Sequence, residues 1–277
     1  MRVLRLCLLT VLIPAMCVFA AFFETGGASS IPDKIDTTLF TGERLVYAIK
    51  WNPPWYMFFM PTMEAGEMLI EQAGVEEFRG KPAFKTVMRG RSSGALSKAL
   101  MPVEDEFVFY SDPETLCAEG GITKIREGKR KRLLELEYFR EAGELRFRAT
   151  DESVTPPKIN KDVTLADIPS CVRDPFSALY IYRTLPLRND YSNSIVIGND
   201  DKVMEVQAHV EKQERIETQT GALNAWKIRT DALKGGLFRE GGQFWVWLAA
   251  DEKKTPLRFE AKVRLGQVSC ILKSATP

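Results

Sequence analysis

Along most of this chain apolar and polar residues alternate at period two in short stretches, the signature of half-buried β-strands. Leu45, Tyr47, Ile49 and Trp51 fall on one side of an extended segment, with Arg44, Val46, Ala48 and Lys50 on the other. The pattern resumes over 66–72 and 83–91 around a Gly80-Lys81-Pro82 turn, and again over 103–110. Leu134, Leu136 and Tyr138 alternate into a Glu141-Ala142-Gly143 turn followed by Leu145, Phe147 and Ala149, which predicts a hairpin. A strand at 194–197 and the turn Gly198-Asn199-Asp200-Asp201 lead to a second one. There Met204, Val206, Ala208 and Val210 face in while Glu205, Gln207, His209 and Glu211 face out. Strands at 225–230, 244–248, 257–263 and 268–272 complete the run. Phe244-Trp245-Val246-Trp247-Leu248, apolar on both faces, belongs in the middle of a sheet.

The period changes decisively over 174–185. Asp174 is a good N-cap, Pro175 fits the first helical position, and Pro186 ends a helix of roughly 17 Å. Apolar residues nearly encircle it, leaving Ser177 and Thr184 as a narrow polar strip, so the helix is expected to be buried. A shorter helix is expected over 92–100. The prediction is a mainly β protein, an antiparallel β-roll or half-barrel curled around one central α-helix.

Composition adds a compartment. The 277 residues, 45% apolar and 27% charged, suit one β-rich domain over 39–277, in two halves joined by the helix. Arg2 and Arg5 precede an apolar run over 6–19 that ends at Val18-Phe19-Ala20, a secretory signal with an alternative cut after Ala28 and a linker over 21–38. The apolar run is short for a membrane span. Cys17 raises a lipoprotein reading, but Pro14-Ala15-Met16 before it makes a poor lipidation box. Without the leader the chain is close to neutral, and Cys117, Cys171 and Cys270 remain, enough for one disulfide and one thiol. Export and the missing global field argue against a nucleic-acid partner.

Candidate chemistry is sparse. One histidine, His209, and no Cys-x-x-Cys pair argue against the common metal sites, and phosphate-binding, dinucleotide and nucleophile-elbow motifs are missing. No catalytic residue, metal or cofactor is expected. Arg183 falls on an apolar helix face between Leu179 and Tyr180. It is either a structural arginine bonded to carbonyls, Glu43 or Asp251, or a guanidinium that holds an anionic head group. Lys129, Arg130, Lys131 and Arg132 close the most basic stretch, a patch for anionic groups or a solvated hairpin tip. Pro53, Pro54 and Pro61 bracket Trp55, Tyr56, Met57, Phe58, Phe59 and Met60, which form either core or an apolar lip for a membrane or partner.

Short matches run nearly the whole mature length: Gly42-Glu43-Arg44-Leu45 with Tyr47, then Ala65-Gly66-Glu67, then Asp174-Pro175-Phe176-Ser177-Ala178-Leu179-Tyr180 with Arg183. The last is Val246-Trp247-Leu248-Ala249-Ala250-Asp251 leading to Pro256-Leu257-Arg258. In these the chain resembles the bacterial exported family known as domain of unknown function 3108. The resemblance implies a β-rich envelope protein with no assigned activity, and it transfers no catalytic residue. The segment 55–60 lies outside the family's pattern.

Together these features point to an exported periplasmic or envelope-associated binding or carrier module for a hydrophobic or lipid-like ligand, met by Arg183, Tyr180 and Trp247. One rival is a structural or assembly factor that holds an envelope protein or a membrane surface by the lip Trp55, Tyr56, Phe58 and Phe59. Another is a carboxylate-dependent hydrolase. An apolar pocket favours the carrier, a flat apolar patch the assembly factor, and two close buried carboxylates the hydrolase.

Overall fold

Fourteen antiparallel strands form one sheet in the computed structural model, which describes residues 31–57, 59–94, 102–218, 221–230, 244–262 and 266–276. The first eight are β1 (Arg44–Asn52), β2 (Met63–Phe78), β3 (Lys81–Ser92), β4 (Glu104–Ser111), β5 (Ala118–Glu127), β6 (Arg130–Phe139), β7 (Glu144–Asp151) and β8 (Lys158–Leu165). After helix α1 (Pro175–Thr184) come β9 (Ser192–Asn199), β10 (Lys202–Thr218), β11 (Gly221–Thr230), β12 (Phe244–Ala249), β13 (Pro256–Lys262) and β14 (Gln267–Thr276). The order across the sheet is β8-β7-β6-β5-β4-β3-β2-β1-β14-β13-β12-β11-β10-β9. Each half is thus a run of neighbouring hairpins, and the pairing of β1 with β14 joins them. Laid flat, so many strands would span about 65 Å, and the right-handed twist of strands makes sheets of this size curl.

The sheet is not closed, yet its two ends meet. Val196 and Val203, at the β9 end, pack against the apolar cluster of Leu134, Leu136, Tyr138, Leu145 and Phe147 from β6 and β7. The Lys161 ammonium of β8 contacts the Asp201 carboxylate beside β10. Residues 172–173 strap the join: Ala118 N donates to Val172 O (2.7 Å), Arg173 N to Val196 O (2.9 Å) and Gly198 N to Arg173 O (2.8 Å). Gly198 is required there because any Cβ would run into the Tyr138 hydroxyl. A disulfide between Cys117 and Cys171 anchors the strap to the start of β5, and Cys270 remains a thiol, which burial pushes up to about 12.

Most expected strands lie within observed ones; Val103, at the start of one, makes only an isolated bridge before β4, and Val263, at the end of another, lies outside the described residues. β2 and β10 are much longer than their alternating stretches, and neither β5 nor β8 is among the expected strands. Part of the expected linker is docked on the fold: Ile35 and Thr37 are buried, and Ile35 N donates to Glu114 O. Residues 1–30, which hold the expected leader and the first part of the linker, most of the helix expected over 92–100, and Phe58 lie outside the described residues.

Helix α1 starts where its sequence dictates. Asp174 Oδ1 accepts from Phe176 N (2.8 Å) and Ser177 N (2.9 Å), and Pro175 occupies the first turn. Ala178, Tyr180, Ile181 and Tyr182 belong to one buried apolar cluster with Leu45, Tyr47, Ile70, Val210, Trp247 and Leu248. The polar strip is a correction. Ser177 is buried and its hydroxyl bonds the Asp174 carboxylate, whose own pKa burial pushes up against the pull of these donors, whereas Leu179 is partly exposed. Ser177→Ala is therefore expected to cost about 1–3 kcal/mol by stripping a hydrogen bond from a buried carboxyl. Leu179→Ala should fall below the roughly 2–5 kcal/mol of a fully buried leucine. Urea midpoints of the two variants check that order.

Candidate functional site

The concave face of β9–β12 and the first turns of α1 enclose an apolar pocket of about 560 Å³, counted with the open space at its mouth. From α1 come Pro175, Ala178, Leu179 and Tyr182. From the strands come Ile195 and Ile197, Val206 and Ala208, Ile228 and Thr230, and Phe244 and Val246. Two of the lining positions, Ala178 on α1 and Ala208 on β10, are small. Alternation had already turned Val206 and Ala208 inward, but no pattern in the sequence says which strand an inward residue faces across a sheet this wide. Among the described residues the Thr230 hydroxyl is buried without a hydrogen-bond partner, so one polar group is on offer in an otherwise greasy lining.

Arg183, Tyr180 and Trp247 do not line this pocket. Arg183 is buried and grips Glu43 with both ends of its fork: Nη1 to Oε2 at 2.6 Å and Nη2 to Oε1 at 2.7 Å. Its Nε donates to Lys253 O (3.1 Å), and its plane lies over the rings of Phe40 (4.7 Å) and Tyr180 (4.8 Å). Tyr180 donates its hydroxyl proton to the same Glu43 Oε2 at 2.8 Å. Burial pulls the Arg183 pKa down, but hydrogen bonding to Glu43 together with the charges of Tyr180, Glu43 and Tyr47 outweighs it and leaves the guanidinium above its ordinary value. Trp247 is also buried, its indole N–H on Glu214 Oε1 (2.7 Å) and its ring under the Arg258 guanidinium (4.9 Å). All three are tied into the fabric of the fold.

The lip and the basic run share one end of the sheet. In an antiparallel sheet successive connections alternate ends, so the β1–β2, β3–β4 and β5–β6 connections lie together. Pro53 and Pro54 lead into a single 3₁₀ turn, Trp55–Met57. Trp55 is 87% exposed, Tyr56 51% and Phe59 72%. Thr62 Oγ1 ties the base of this projection to Asn52 Oδ1 (2.7 Å). Gly266 comes so close to the Asn52 carbonyl that no side chain would fit, so the start of β14 braces the same root. Next along the rim, Ser93 N donates to Ala65 O (2.9 Å), and Gly128 N donates to Pro102 O (2.8 Å). Lys129 forms the tip of the β5–β6 hairpin. It is exposed, as are Arg130 and Lys131, while Arg132 is half-buried. Arg130 pairs with Glu127 at 2.7 Å; among the described residues no carboxylate lies within salt-bridge reach of Lys129 or Lys131. The pocket's Phe244 is level with this rim, being in register through Ala261 and Val268 with Trp51.

Other chemistry does not assemble. The buried carboxylates Asp105 and Asp174 are each engaged by backbone N–H groups, the former by Arg126 N at 2.7 Å. His209 Nδ1 lies 2.8 Å from Ser192 Oγ, but the carboxylate beyond it, Asp190, is 3.9 Å away and 87% exposed. That is too far and too wet to orient an imidazole. Among the described residues no group of three metal-ligating side chains occurs, and no helix is long and apolar enough to cross a membrane.

A single wide, curled antiparallel sheet with an apolar interior pocket places the molecule among barrel-like β proteins. Residues 46–273 match the family described as "Protein of unknown function (DUF3108)", and the chain belongs to that family. Its fold is similar to the crystal structure of a β-barrel-like protein of the domain of unknown function DUF1849 from Brucella abortus. The two share 11% identity at a TM-score of 0.56, over 86% of this chain and 98% of that one. Weaker likenesses, with TM-scores of 0.30 and 0.28, link it to a candidate exported protein of YmcC-like fold from Bacteroides fragilis and a candidate lipoprotein from Parabacteroides distasonis. Those share 10% and 12% identity, over 86% and 85% of this chain and 96% and 95% of theirs. No curated protein matches the chain in sequence.

Proposed function

We propose that this protein is an exported, non-catalytic carrier that takes one apolar chain of a lipid-like molecule into the pocket between α1 and β9–β12. In this reading the sheet curls around the helix, and the helix forms one wall of the binding site. The observation that carries it is the pocket lining, in which ten of the side chains around about 560 Å³ are purely hydrocarbon and two, Thr230 and Tyr182, carry a hydroxyl. A mostly apolar wall with few polar groups is the usual make-up of a small-molecule site. Tyr182 spends its hydroxyl on Asn193 O (3.1 Å), which leaves Thr230 to meet a ligand head group. The Arg183–Glu43 pair takes no part in binding; it holds α1 in place as the pocket wall.

The test is titration of cis-parinaric acid, a fluorescent fatty acid, into the purified protein. Wild type is expected to enhance its fluorescence saturably. Ala208→Phe, which fills the pocket from the β10 side, should weaken binding at least tenfold, and Ala178→Leu from the helix side should do so as well. Both variants should keep the wild-type circular dichroism. Lack of saturable binding by wild type, or unchanged binding by two folded, filled variants, would remove the carrier reading.

A further inference from the structure

We propose that the rim carrying Trp55, Tyr56 and Phe59 docks onto an anionic lipid bilayer, with Lys129 and Lys131 at the neighbouring hairpin tip meeting the lipid phosphates. Three independent features of the same end of the sheet converge on this partner.

The first is the shape and chemistry of the projection. Two prolines stiffen its entry, and the turn presents a tryptophan and a tyrosine whose rings meet edge to face, 5.9 Å apart. Exposing such rings to water is unfavourable, and Trp and Tyr have their natural place at the head-group level of a bilayer, where one end of the ring is wet and the other is not. A narrow projecting turn is poorly suited to a stable protein interface, which needs on the order of 800 Å² per partner of complementary surface. A bilayer deforms to fit it.

The second feature is charge. Lys129 and Lys131 project from the β5–β6 hairpin without carboxylate partners among the described residues, while Arg130 is largely neutralised by Glu127. The hairpin is three strand spacings from β2, so the basic tip sits roughly 15 Å along the rim from the aromatic turn, close enough to touch one membrane surface together. The third is the position of the pocket, whose Phe244 end is level with Trp51 at the root of the same projection. A carrier whose pocket faces the docked end could load directly from the bilayer, but the docking itself does not depend on the pocket being filled.

The experiment is vesicle flotation of the protein as the cell releases it. Its N-terminus is set by intact mass and shared by all variants, so that any contribution of the leader cancels. Wild type is expected to float with phosphatidylcholine vesicles containing phosphatidylglycerol and far less with phosphatidylcholine alone. Lys129→Gln with Lys131→Gln should lower the partition coefficient on anionic vesicles roughly thirtyfold, about fivefold per lysine, and high salt should mimic the change. Trp55→Ser, Tyr56→Ser and Phe59→Ser together should abolish flotation on both compositions. All these residues are surface-exposed, so both variants should melt like wild type. Absence of flotation, equal flotation on neutral vesicles, or variants that float like wild type would each overturn the proposal. So would capture of an envelope protein by the aromatic turn with no affinity for vesicles. Titration with cis-parinaric acid in vesicle-free buffer is unaffected by these substitutions if the pocket reading holds, so the two ideas fail separately.

Discussion

Glu43→Ala is expected to cost about 3–5 kcal/mol, a large share of the roughly 5–15 kcal/mol by which a folded domain is stable. The substitution removes the only carboxylate among the described residues that touches the Arg183 fork and leaves a cation between Phe40 and Tyr180 in a site where water has little access. It also takes the acceptor from the Tyr180 hydroxyl. The penalty is that of an uncompensated buried charge, so removing both charges should be far milder. Glu43→Leu with Arg183→Met is expected to recover most of the loss, because a buried ion pair is strong only against its own half. Urea melts with an unchanged slope provide the comparison. If Glu43→Ala melts within 1 kcal/mol of wild type, the fork is not a structural clamp, and Arg183 returns as a ligand-binding group.

The second large effect concerns the strap. Cys117 and Cys171 close a loop with a sequence separation of 54, and the chain-entropy account puts the stabilisation from such a loop at about 4 kcal/mol. Replacing both by alanine should therefore lower the urea midpoint severely. The damage should start where the two ends of the sheet meet, because residues 172–173 make the hydrogen bonds that tie β5 to β9. Amide hydrogen exchange in the double variant should show early loss of protection at Ala118, Arg173 and Gly198, with β12 to β14 protected until global unfolding. Uniform loss throughout would mean that the strap is an integral part of one cooperative unit. Unchanged protection would mean that the backbone pairing holds without the bond.

Much of this fold is legible in the sequence because one face of most strands is buried, and burial writes itself as alternation. β12 reads as central because both its faces are covered, and α1 announces itself through Asp174, Pro175 and Pro186. β8 escapes for the opposite reason. Lys158–Leu165 is an edge strand exposed along most of its length, so neither face imposes a pattern, and its charges are what an edge needs to avoid pairing with another molecule. Ser177 misleads because hydroxyls in a helix normally mean solvent, whereas here the hydroxyl helps to satisfy a buried cap. The pocket could not be found in advance. Ala178 and Ala208 look like ordinary small residues until the fold brings them into one lining.

The seam between β1 and β14 has a temporal meaning. Every other pairing between the strands of the sheet is a hairpin between chain neighbours, but this one joins Arg44 to Thr276, more than two hundred residues apart in sequence. A polypeptide delivered N-terminus first can zip β1 through β8 within reach of their own turns while the outer edge of β1 stays bare. That edge is long and half apolar, and it waits for β14 to arrive. The vulnerable moment in the life of this protein is the interval before β14 emerges. A chain stalled or cut short within that interval would offer its β1 edge to its neighbours as a template for aggregation.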